Sequence, residues 1–482
     1  MKITLHKLLE QVGLVCDVSI EVYGIQSDSR KVNHGDLFVA VPGFESDGHH
    51  FIKSAIDRGA VAIIGERVIT DQIPTPYYHV DNTREVLFTL TNFFYQMPQN
   101  KHKMIGITGT NGKTTTAYLI HEILSYNGKT SSLLGTVVYS LNGVEHQSTL
   151  TTPDTISIQK ILHESNDEYV VMEVSSHGLD QYRVAGSMFD YALFTNLSHE
   201  HLDYHSNLED YYLAKKKLFQ YLKKDGKAII GAYNPWGERL NAELAEELIP
   251  AIPYCHKEVK GPISIKSMVT APKAQVVLED HGNEFTLQLN IVGKHNIYNV
   301  LGSYFCAREL GFLPEEIIPP LQAFNGVPGR FEIINLPNNS KAIVDYAHTP
   351  DGLYHALSTA KECIEQDVYH VFGFRGKRDI SKREAMVKIS QRLAKQVFLT
   401  LDDLNGVEKE TMLDDLRKLS NEYPNVAVID DRTLAIRHAL KFLDNGDGLI
   451  VTGKGSEKYK DDYKFPSATD KETILQAAAE IN

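Results

Sequence analysis

Short apolar runs alternate with amphipathic stretches along most of the chain, and this pattern predicts an α/β fold. In the first half the runs predict strands at Asp36–Val41, Met104–Ile107, Tyr169–Val174, Ala192–Asn196 and Ala228–Gly231. A helix is predicted from Thr114 to Tyr126, because Asn127-Gly128 supplies a stop signal. Strands that alternate with helices indicate a mostly parallel sheet.

The pattern changes twice further along. Residues 262–290 contain several short strands in succession, which predicts an antiparallel patch. After a hinge at Gly326–Gly329 the alternation restarts and predicts a Rossmann-like domain. Its strands are expected at Ala342–Asp345, Tyr369–Phe372, Gln396–Leu401, Val426–Ile429 and Leu449–Val451.

The length of 482 residues suggests about three domains. Met97–Lys101 has the composition of a linker, and Gly326–Gly329 marks a second boundary. We therefore predict an α/β protein of three domains, spanning 1–98, 99–330 and 331–482. The central domain carries a parallel sheet like that of P-loop ATPases together with the antiparallel patch.

Charge and cysteine content narrow the function classes. The formal net charge of −13 disfavours a general nucleic-acid binder, which needs a basic surface. Four separated cysteines without a CxxC pair indicate reduced thiols and a cytoplasmic protein. The N-terminus lacks the apolar core of a signal peptide, and no apolar run approaches the ~20 residues of a membrane span.

A glycine-containing loop lies between the strand ending at Ile107 and the following helix. This order predicts a phosphate-binding loop formed by Gly109, Thr110, Asn111, Gly112, Lys113, Thr114 and Thr115. Lys113 is expected on the β- and γ-phosphates of ATP, and the Thr114 hydroxyl on Mg²⁺. The alternative is a chance glycine turn, but strand, loop and helix all agree.

Two polar clusters follow strand ends, where open α/β sheets hold their ligands. Glu173 ends an apolar run, and its alternative interpretation is a solvated strand end. The segment Asn196–His205 holds three histidines and two carboxylates. Zinc is disfavoured there against magnesium, because the pattern is not HExxH and no cysteine lies nearby.

Three other segments are ambiguous from sequence alone. Lys215 lies in a run of three lysines, which equally fits a basic helix face. Asn296 is a plausible N-cap, but Asn296 and Asn299 lie one turn apart and could instead contact a ligand. Arg330 follows the second hinge, where it could be a plain surface residue. The strand ending at Asp345 leads into Tyr346-Ala347-His348.

In this order, the motifs together resemble those of the Mur ligases, the ATP-dependent amide-forming enzymes of peptidoglycan synthesis. The resemblance covers the whole chain and is carried by GTNGKT, EVSSHGL, TNLSHEHLDYH, YYLAKKKLF, GKHNIYN, VPGRFE and DYAHTPDGL. Ser27–Arg30 and Thr151–Pro153 favour the branch that adds the third residue of the stem peptide. That branch uses ATP to phosphorylate the terminal carboxylate of UDP-N-acetylmuramoyl-L-alanyl-D-glutamate, and an amino acid's α-amine attacks the acyl phosphate.

The resemblance also implies roles for individual residues. Lys113, Glu173, His201, Lys215 and His348 are expected in catalysis. Of these, Glu173 and His201 match magnesium ligands, as Thr114 does, and Lys215 matches a lysine that becomes carbamylated and helps hold a second magnesium. The expected ATP contacts beyond the loop are Asn296, Asn299, Arg330 and Asp345. The expected contacts to the nucleotide-sugar peptide are Ser29, the Phe44–Ser46 turn, Thr151, Thr152, Ser175, His177 and Arg183.

The amino-acid-binding segments depart from the family pattern. Asp402-Asp403-Leu404-Asn405 stands where diaminopimelate-adding enzymes have DNPR, so Asn405 replaces the arginine. Gly373–Asp379 differs from the usual GxGGDRD, and Ser456 replaces a common histidine. The expected contacts to the added amino acid are Arg378, Asp402, Asn405, Gly453 and Glu457.

These departures bear on the choice of amino acid. Asp402, Asp403 and Glu457 predict an acidic pocket, which favours L-lysine or L-ornithine over meso-diaminopimelate. Diaminopimelate stays the alternative, because Arg375, Lys377 or Arg378 could supply a cation.

Two other functions are open at this stage. A folylpolyglutamate synthase-like ligase would share the loop and the carbamylated lysine, although residues 1–98 argue against it. A P-loop regulatory ATPase would hydrolyse ATP without an acceptor. The preferred expectation is a cytoplasmic monomer with ATP and Mg²⁺ as cofactors. Its partners would be the UDP-sugar dipeptide and a free amino acid, with no nucleic acid and no membrane insertion.

Overall fold

The computed structural model describes residues 1–43, 46–69, 73–96, 101–148, 150–202, 204–255, 262–337 and 339–481. The segment Asn196–His205 falls partly outside these ranges, because Asp203 lies outside them, and so do two further sequence predictions. They are the Phe44–Ser46 turn, of which Phe44 and Glu45 lie outside, and the linker Met97–Lys101, of which residues 97–100 lie outside. None of the helices in the described ranges combines the length and apolarity that a membrane span requires.

The strands are short and spread along the whole chain. In order they are β1 (Ile3–Thr4), β2 (Glu21–Val22), β3 (Gly24–Gln26), β4 (Asp36–Ala40), β5 (Ala62–Gly65), β6 (Tyr77–His79), β7 (Lys103–Thr108), β8 (Ser131–Leu134), β9 (Val138–Leu141), β10 (Val144–Gln147), β11 (Tyr169–Glu173), β12 (Phe189–Phe194), β13 (Leu222–Gly231), β14 (Ala251–Tyr254), β15 (Ile263–Val269), β16 (Ala274–Asp280), β17 (Asn283–Leu289), β18 (Glu332–Asn335), β19 (Lys341–Asp345), β20 (Val368–Phe374), β21 (Gln396–Leu401), β22 (Val426–Val428) and β23 (Gly448–Thr452).

Helices separate most of these strands. In order they are α1 (Leu5–Glu10), α2 (Ile52–Asp57), α3 (Thr83–Tyr95), α4 (Lys113–Tyr126), α5 (Thr155–Glu164), α6 (Ser176–Asp180), α7 (Leu208–Lys216), α8 (Pro235–Glu246), α9 (Lys294–Glu309), α10 (Pro314–Ala323), α11 (Pro350–Cys363), α12 (Arg383–Leu393), α13 (Lys409–Ser420), α14 (Arg432–Leu440) and α15 (Asp470–Ile481). The α/β fold class is therefore confirmed.

The chain forms two compact units. The first unit comprises Met1–Gly106, Lys129–Ala192 and Ala214–Gly226. It contains a four-stranded sheet in the order β3-β4-β5-β6, in which every pairing is parallel. Helix α3 packs against this sheet through Leu87, Leu90 and Phe94, which join the apolar core around Leu37.

The first unit also contains β8 to β11. Strand β11 pairs in parallel with β8, and β8, β9 and β10 form an antiparallel meander. Every position of the run Tyr169–Glu173 is buried. This explains why its sequence is mostly apolar and does not alternate between apolar and polar residues. Glu173 is the last residue of β11 and therefore lies at the end of the sheet where its parallel strands finish.

The second unit comprises Ile107–Gly128, Leu193–Leu213 and Lys227–Asn482. Strands β15, β16 and β17 form the predicted antiparallel patch, in which alternate residues of β16 are buried. Helices α4 and α9 pack against each other in the same unit. Strand β12 ends at Phe194, so Asn196, which the sequence pattern put in a strand, lies in the following loop.

A six-stranded sheet in the second unit has the order β18-β19-β23-β20-β21-β22. Strands β19 to β23 are mutually parallel, whereas β18 is an antiparallel edge strand that the sequence analysis missed. The last strand, β23, is inserted between β19 and β20. Helices α14 and α15 cover one face, and a fully buried ion pair joins them: Arg432 Nε lies 2.7 Å from Asp470 Oδ1.

Candidate functional site

The predicted phosphate loop connects β7 to α4. Gly109 and Gly112 have φ angles of +148° and +87°, which side-chain-bearing residues rarely adopt. A Cβ at Gly109 would lie 1.9 Å from Thr195 Oγ1, and one at Gly112 would lie 2.2 Å from Asn299 Oδ1. Both glycines are thus required by conformation and by space. Helix α4 begins at Lys113, so its N-terminal N–H groups follow the loop directly.

Side chains from the loop after β12 hold this phosphate loop. Asn196 Oδ1 accepts from the Asn111 N–H at 3.0 Å, and Asn196 Nδ2 donates to the Asn111 carbonyl at 3.1 Å. Thr195 Oγ1 donates to the same carbonyl at 2.6 Å. Lys113 Nζ folds back onto the Gly109 and Thr110 carbonyls at 2.8 and 2.9 Å. The loop is therefore shaped before a ligand arrives.

A cleft opens beside the loop, and we call it the phosphate-loop cleft. It is lined by Asn111, Gly112, Thr115, Asn196, His295, Asn296, Asn299, Arg330, Asp345, Tyr346, Ala347, His348, Gly352, His355 and Ala356. Eight of these residues are among the sequence-predicted site residues, although they come from four separate segments. The sequence analysis did not select His295 or His355. Burial lowers the pKa of His295 to about 4, so it is a neutral wall of the cleft at pH 7.

Asn296 and Asn299 lie in the first turns of α9. The N-cap of this helix is Gly293, so the N-cap interpretation of Asn296 is wrong. Asn296 Nδ2 instead donates to the Val292 carbonyl at 2.9 Å, and Asn299 Nδ2 donates to Asn296 Oδ1 at 3.3 Å. Both amides are almost fully buried and line the cleft.

Arg330 and Asp345 also line the cleft. The Arg330 guanidinium stacks 4.0 Å from the centroid of the Tyr346 ring, and its Nη2 lies 3.4 Å from Thr114 Oγ1. Arg330 is thus no plain surface residue. Asp345 accepts from the N–H groups of Phe331 and Ala347 at 2.7 and 2.8 Å, which fixes the loop after β19.

A buried carboxylate at Glu200 is the residue that sequence reasoning missed. Its Oε1 lies 2.7 Å from His348 Nε2, and its Oε2 lies 3.8 Å from His201 Nε2. Burial raises the pKa of Glu200, but the charges of His201, His348 and Lys113 outweigh this and hold it well below its usual value. His201 has a φ of +57°, an uncommon value for a residue with a side chain. The signal was present, since Glu200 is one of the two carboxylates in the Asn196–His205 cluster.

In the first unit, Glu173 stands at the centre of a hydrogen-bond network. It is 1% exposed, so the solvated-strand-end interpretation is wrong. Thr136 donates to both carboxylate oxygens, from its N–H at 2.8 Å and from Oγ1 at 3.0 Å. Thr136 Oγ1 also lies 3.1 Å from Thr151 Oγ1. These bonds fix the orientation of the carboxylate.

The same network includes three other predicted residues. Thr152 Oγ1 lies 3.0 Å from the Glu173 carbonyl and 3.1 Å from Ser175 Oγ. Arg183 Nη1 donates to the Thr152 carbonyl at 2.9 Å. His177 lies in the short helix α6, which Ser175 caps through its bond from the Gly178 N–H. Ser29 is buried in a 3₁₀ turn after β3.

Burial distinguishes Lys215 from its neighbours. Lys215 is 1% exposed, whereas Lys216 and Lys217 are partly exposed and Lys217 pairs with Asp180 at 3.0 Å. The interpretation of this segment as a solvated basic face is therefore wrong at Lys215. Across the described ranges, which omit Asp203, no three His, Cys, Asp or Glu side chains are grouped as a metal site would require.

Three loops follow β20, β21 and β23 at the carboxyl edge of the six-stranded sheet, and we call residues 375–378, 402–405 and 453–457 the carboxyl-end loops. Asp402 and Asp403 are buried there, and Lys454 Nζ lies 3.1 and 2.6 Å from their carboxylates. Arg375 pairs with Glu457. Burial raises the pKa of Asp402, but the charges of Arg432, Lys454 and Arg375 lower it to about 2.

These ion pairs contradict the expectation of an acidic pocket. The three carboxylates face Lys454, Arg375 and the exposed Lys460, which lies 3.3 Å from Asp403. Because these carboxylates are already paired, they give no reason to prefer L-lysine or L-ornithine. The sequence analysis missed these pairs because Lys454 is 51 positions from Asp403 in sequence.

The other predicted residues of these loops take varied positions. Asn405 Nδ2 donates to the Gly376 carbonyl at 3.2 Å, and Gly453 adopts a φ of +107°. Arg378 is exposed. Their roles toward an amino acid stay predictions.

Comparison with known families gives a consistent match along the chain. The model described as "Mur ligase family, catalytic domain" matches residues 21–95, "Mur ligase middle domain" matches 107–307, and "Mur ligase, glutamate ligase domain" matches 329–455. Two relatives are each named UDP-N-acetylmuramoyl-L-alanyl-D-glutamate–2,6-diaminopimelate ligase. The one from Syntrophomonas wolfei subsp. wolfei is 35% identical and covers 91% of each chain. The one from Bacillus cereus is 36% identical and covers 95% of this chain and 94% of the relative.

Solved structures share the fold. A UDP-N-acetylmuramoyl-L-alanyl-D-glutamate–2,6-diaminopimelate ligase matches with a TM-score of 0.70 and 26% identity over 100% of this chain and 99% of its own. MurF ligase from Thermotoga maritima in complex with ADP matches with a TM-score of 0.66 and 18% identity over 95% and 97%. Mycobacterium tuberculosis folylpolyglutamate synthase matches with a TM-score of 0.63 and 15% identity over 82% and 94%, a likeness of fold alone.

Proposed function

This chain belongs to the Mur ligase family of ATP-dependent, amide-bond-forming ligases of peptidoglycan synthesis, and we propose that it adds the third residue to UDP-N-acetylmuramoyl-L-alanyl-D-glutamate. The observation that carries this proposal is the phosphate-loop cleft together with relatives of that name at 35–36% identity over more than nine-tenths of the chain. The division into domains 1–98, 99–330 and 331–482, and a monomeric state, are parts of the same proposal.

The phosphate-loop cleft supplies what phosphoryl transfer to a carboxylate needs. ATP would lie with its phosphates against the α4 N-terminus and Lys113, and with its nucleoside toward Asn296, Asn299 and Arg330. The transfer gathers negative charge on the γ-phosphoryl group, which the Lys113 cation would stabilise. Glu200 would orient His348 at the edge of this cleft. The resulting acyl phosphate has a good leaving group, so an amine can displace phosphate and form the amide.

Magnesium and a carbamylated lysine complete the proposal. By resemblance, Thr114, Glu173, His201 and Lys215 would hold Mg²⁺, which neutralises phosphate charge when it is bound. Glu173 suits this role, because the two bonds from Thr136 orient a buried carboxylate, and carboxylate oxygens are the ligands that a hard cation prefers. Carbamylation would turn the Lys215 cation into an anionic oxygen ligand. The burial of Lys215, unlike that of Lys216 or Lys217, supports the choice of this lysine.

We propose diaminopimelate as the added amino acid, in place of L-lysine or L-ornithine. Two observations support it: the relatives are named for diaminopimelate, and the carboxylates that favoured a basic side chain are already paired with Lys454 and Arg375.

The decisive experiment measures ADP release with UDP-N-acetylmuramoyl-L-alanyl-D-glutamate and a panel of amino acids. The proposal expects release that depends on both the nucleotide-sugar peptide and the amino acid, with meso-diaminopimelate giving the highest kcat/KM. Release that needs a folate substrate instead would favour a folylpolyglutamate synthase-like ligase. Release that is indifferent to every acceptor would favour a regulatory ATPase, and either result would overturn the proposal.

A further inference from the structure

Arg375 is the first residue after β20, and the two other carboxyl-end loops flank it. Strands β23 and β21 are the parallel neighbours of β20, so the loops 453–457 and 402–405 lie on either side at the same sheet edge. Open parallel sheets bind ligands at this edge. Arg375 is therefore placed where a small ligand of this unit would lie.

The contacts of Arg375 reach both neighbouring loops. Its Nη2 donates to the Gly453 carbonyl at 3.1 Å and to the Glu457 carboxylate. Its Nε lies 3.8 Å from Asp402 Oδ1, beyond hydrogen-bond distance, and is buried without a hydrogen-bond partner. The side chain as a whole is 20% exposed. The guanidinium thus stays within reach of a ligand and keeps a donor that its present contacts do not satisfy.

The loop that carries Arg375 packs directly on the segment that carries Asn405. The Gly376 N–H donates to the Asp403 carbonyl at 2.9 Å, and Asn405 Nδ2 donates back to the Gly376 carbonyl at 3.2 Å. A Cβ at Gly376 would lie 1.9 Å from the Leu404 carbonyl oxygen. Asn405 stands where the DNPR pattern has arginine, and Arg375 stands where GxGGDRD has glycine. The chain has lost a guanidinium in one loop and gained one in the loop that touches it.

The Arg375–Glu457 pair has the charge pattern that complements a zwitterion. Lys454 forms ion pairs with Asp402 and Asp403, whereas Glu457 is paired with Arg375. The Glu457 side chain is 36% exposed. The far end of meso-diaminopimelate carries a carboxylate and an ammonium on one carbon, whereas L-lysine carries only an ammonium. A guanidinium binds a carboxylate in a bidentate way, and a carboxylate accepts from an ammonium.

We infer that Arg375 is the residue that selects the amino acid, by binding its distal carboxylate while Glu457 binds the distal ammonium. This inference rests on the proposed function and deepens it. The arginine at position 375 takes over the charge that position 405 lacks, so the departure at Asn405 does not change the class of amino acid.

The test compares kcat/KM for meso-diaminopimelate and for L-lysine in four proteins: wild type, Arg375→Gln, Arg375→Lys and the double variant Arg375→Gln/Asn405→Arg. Arg375→Gln should lose about 10²-fold with diaminopimelate, the usual size for removing one partner of a desolvated charge pair. Its kcat/KM for L-lysine should fall far less, because L-lysine has no distal carboxylate for Arg375 to bind. Arg375→Lys should be intermediate, because it keeps the charge but not the planar fork. The double variant should recover at least about 10-fold of the loss, since the charge returns in the touching loop.

Arg417→Gln is the matched control, because Arg417 is an exposed arginine of the same unit and pairs with Glu410 and Asp414 on its own helix. It should leave both kcat/KM values unchanged. A parallel loss with both amino acids in Arg375→Gln would reduce Arg375 to a structural role and overturn the inference. A wild type that is active but prefers L-lysine would also overturn it while leaving the ligase proposal intact. A wild type that joins no amino acid would refute the proposed function itself.

Discussion

The phosphate-loop cleft and the carboxyl-end loops lie in the same unit but differ in how their charges are arranged. In the cleft, single residues such as Lys113 are held by backbone carbonyls of a contiguous motif. In the carboxyl-end loops, the buried carboxylates are held by charged groups from distant segments, as Asp403 is by Lys454. The first arrangement can be recognised in a stretch of eight residues. The ion pairs of the carboxyl-end loops cannot be recognised from the sequence, because their partners come together only when the chain folds.

The largest effect that would sharpen this contrast is expected at Lys113. Lys113→Ala removes the cation beside the transferring phosphoryl group, so kcat should fall on the order of 10³-fold or more. Steady-state ADP release measures it, with Lys418→Ala as control, because Lys418 is exposed in α13. Near-normal turnover in a folded Lys113→Ala protein would refute the assignment of the nucleotide site.

A substitution at Lys454 tests the carboxyl-end loops, and the measured quantity is the stability of the protein. Lys454→Ala leaves Asp402 and Asp403 buried without the lysine that contacts both carboxylates, so the free energy of unfolding should fall by about 3–5 kcal/mol. Urea denaturation at pH 7 measures it. The matched control Lys460→Ala removes an exposed lysine from the same carboxylate and should change stability by less than about 1 kcal/mol. Equal effects for the two lysines would mean that the loops do not depend on the buried pairs.

A third test concerns Lys215, Lys216 and Lys217, because the sequence alone did not show which of these three lysines has a function. Lys215→Ala should lower kcat on the order of 10²-fold or more if its carbamate holds Mg²⁺. Lys216→Ala and Lys217→Ala should stay active, and short carboxylic acids should partly restore Lys215→Ala. Equal tolerance at all three positions would return the segment to an ordinary helix surface.

The smallest expected effect is at Glu200. Glu200→Gln keeps the size of the side chain but removes the charge that orients His348, so kcat should fall by about 10-fold. The KM for the amino acid should not change, because Glu200 contacts His348, which lines the phosphate-loop cleft. Measuring both constants separates the two regions, and a change confined to the amino-acid KM would contradict this assignment.

Sequence alone predicted the features that depend on neighbours along the chain. The phosphate loop, the antiparallel patch and the strands that end at Asp345 and Leu401 were predicted within a few residues. The fold class followed from the same periodicity. What it missed depends on contacts between distant segments: the edge strand β18, the Glu200–His348 pair and the neutralisation of Asp402 and Asp403. The sequence shows which residues are charged but not which residues they pair with. The acidic pocket was therefore predicted wrongly, because the carboxylates are present but are paired with Lys454 and Arg375.

The position of β23 has a consequence for how this protein is made. The strand that lies between β19 and β20 is synthesised after the other strands of the same sheet. While the ribosome is still translating the segments between β20 and β23, β19 and β20 each lack the neighbour they will share. The six-stranded sheet therefore completes only after β23 has emerged, and its exposed strand edges are hazards for aggregation until then.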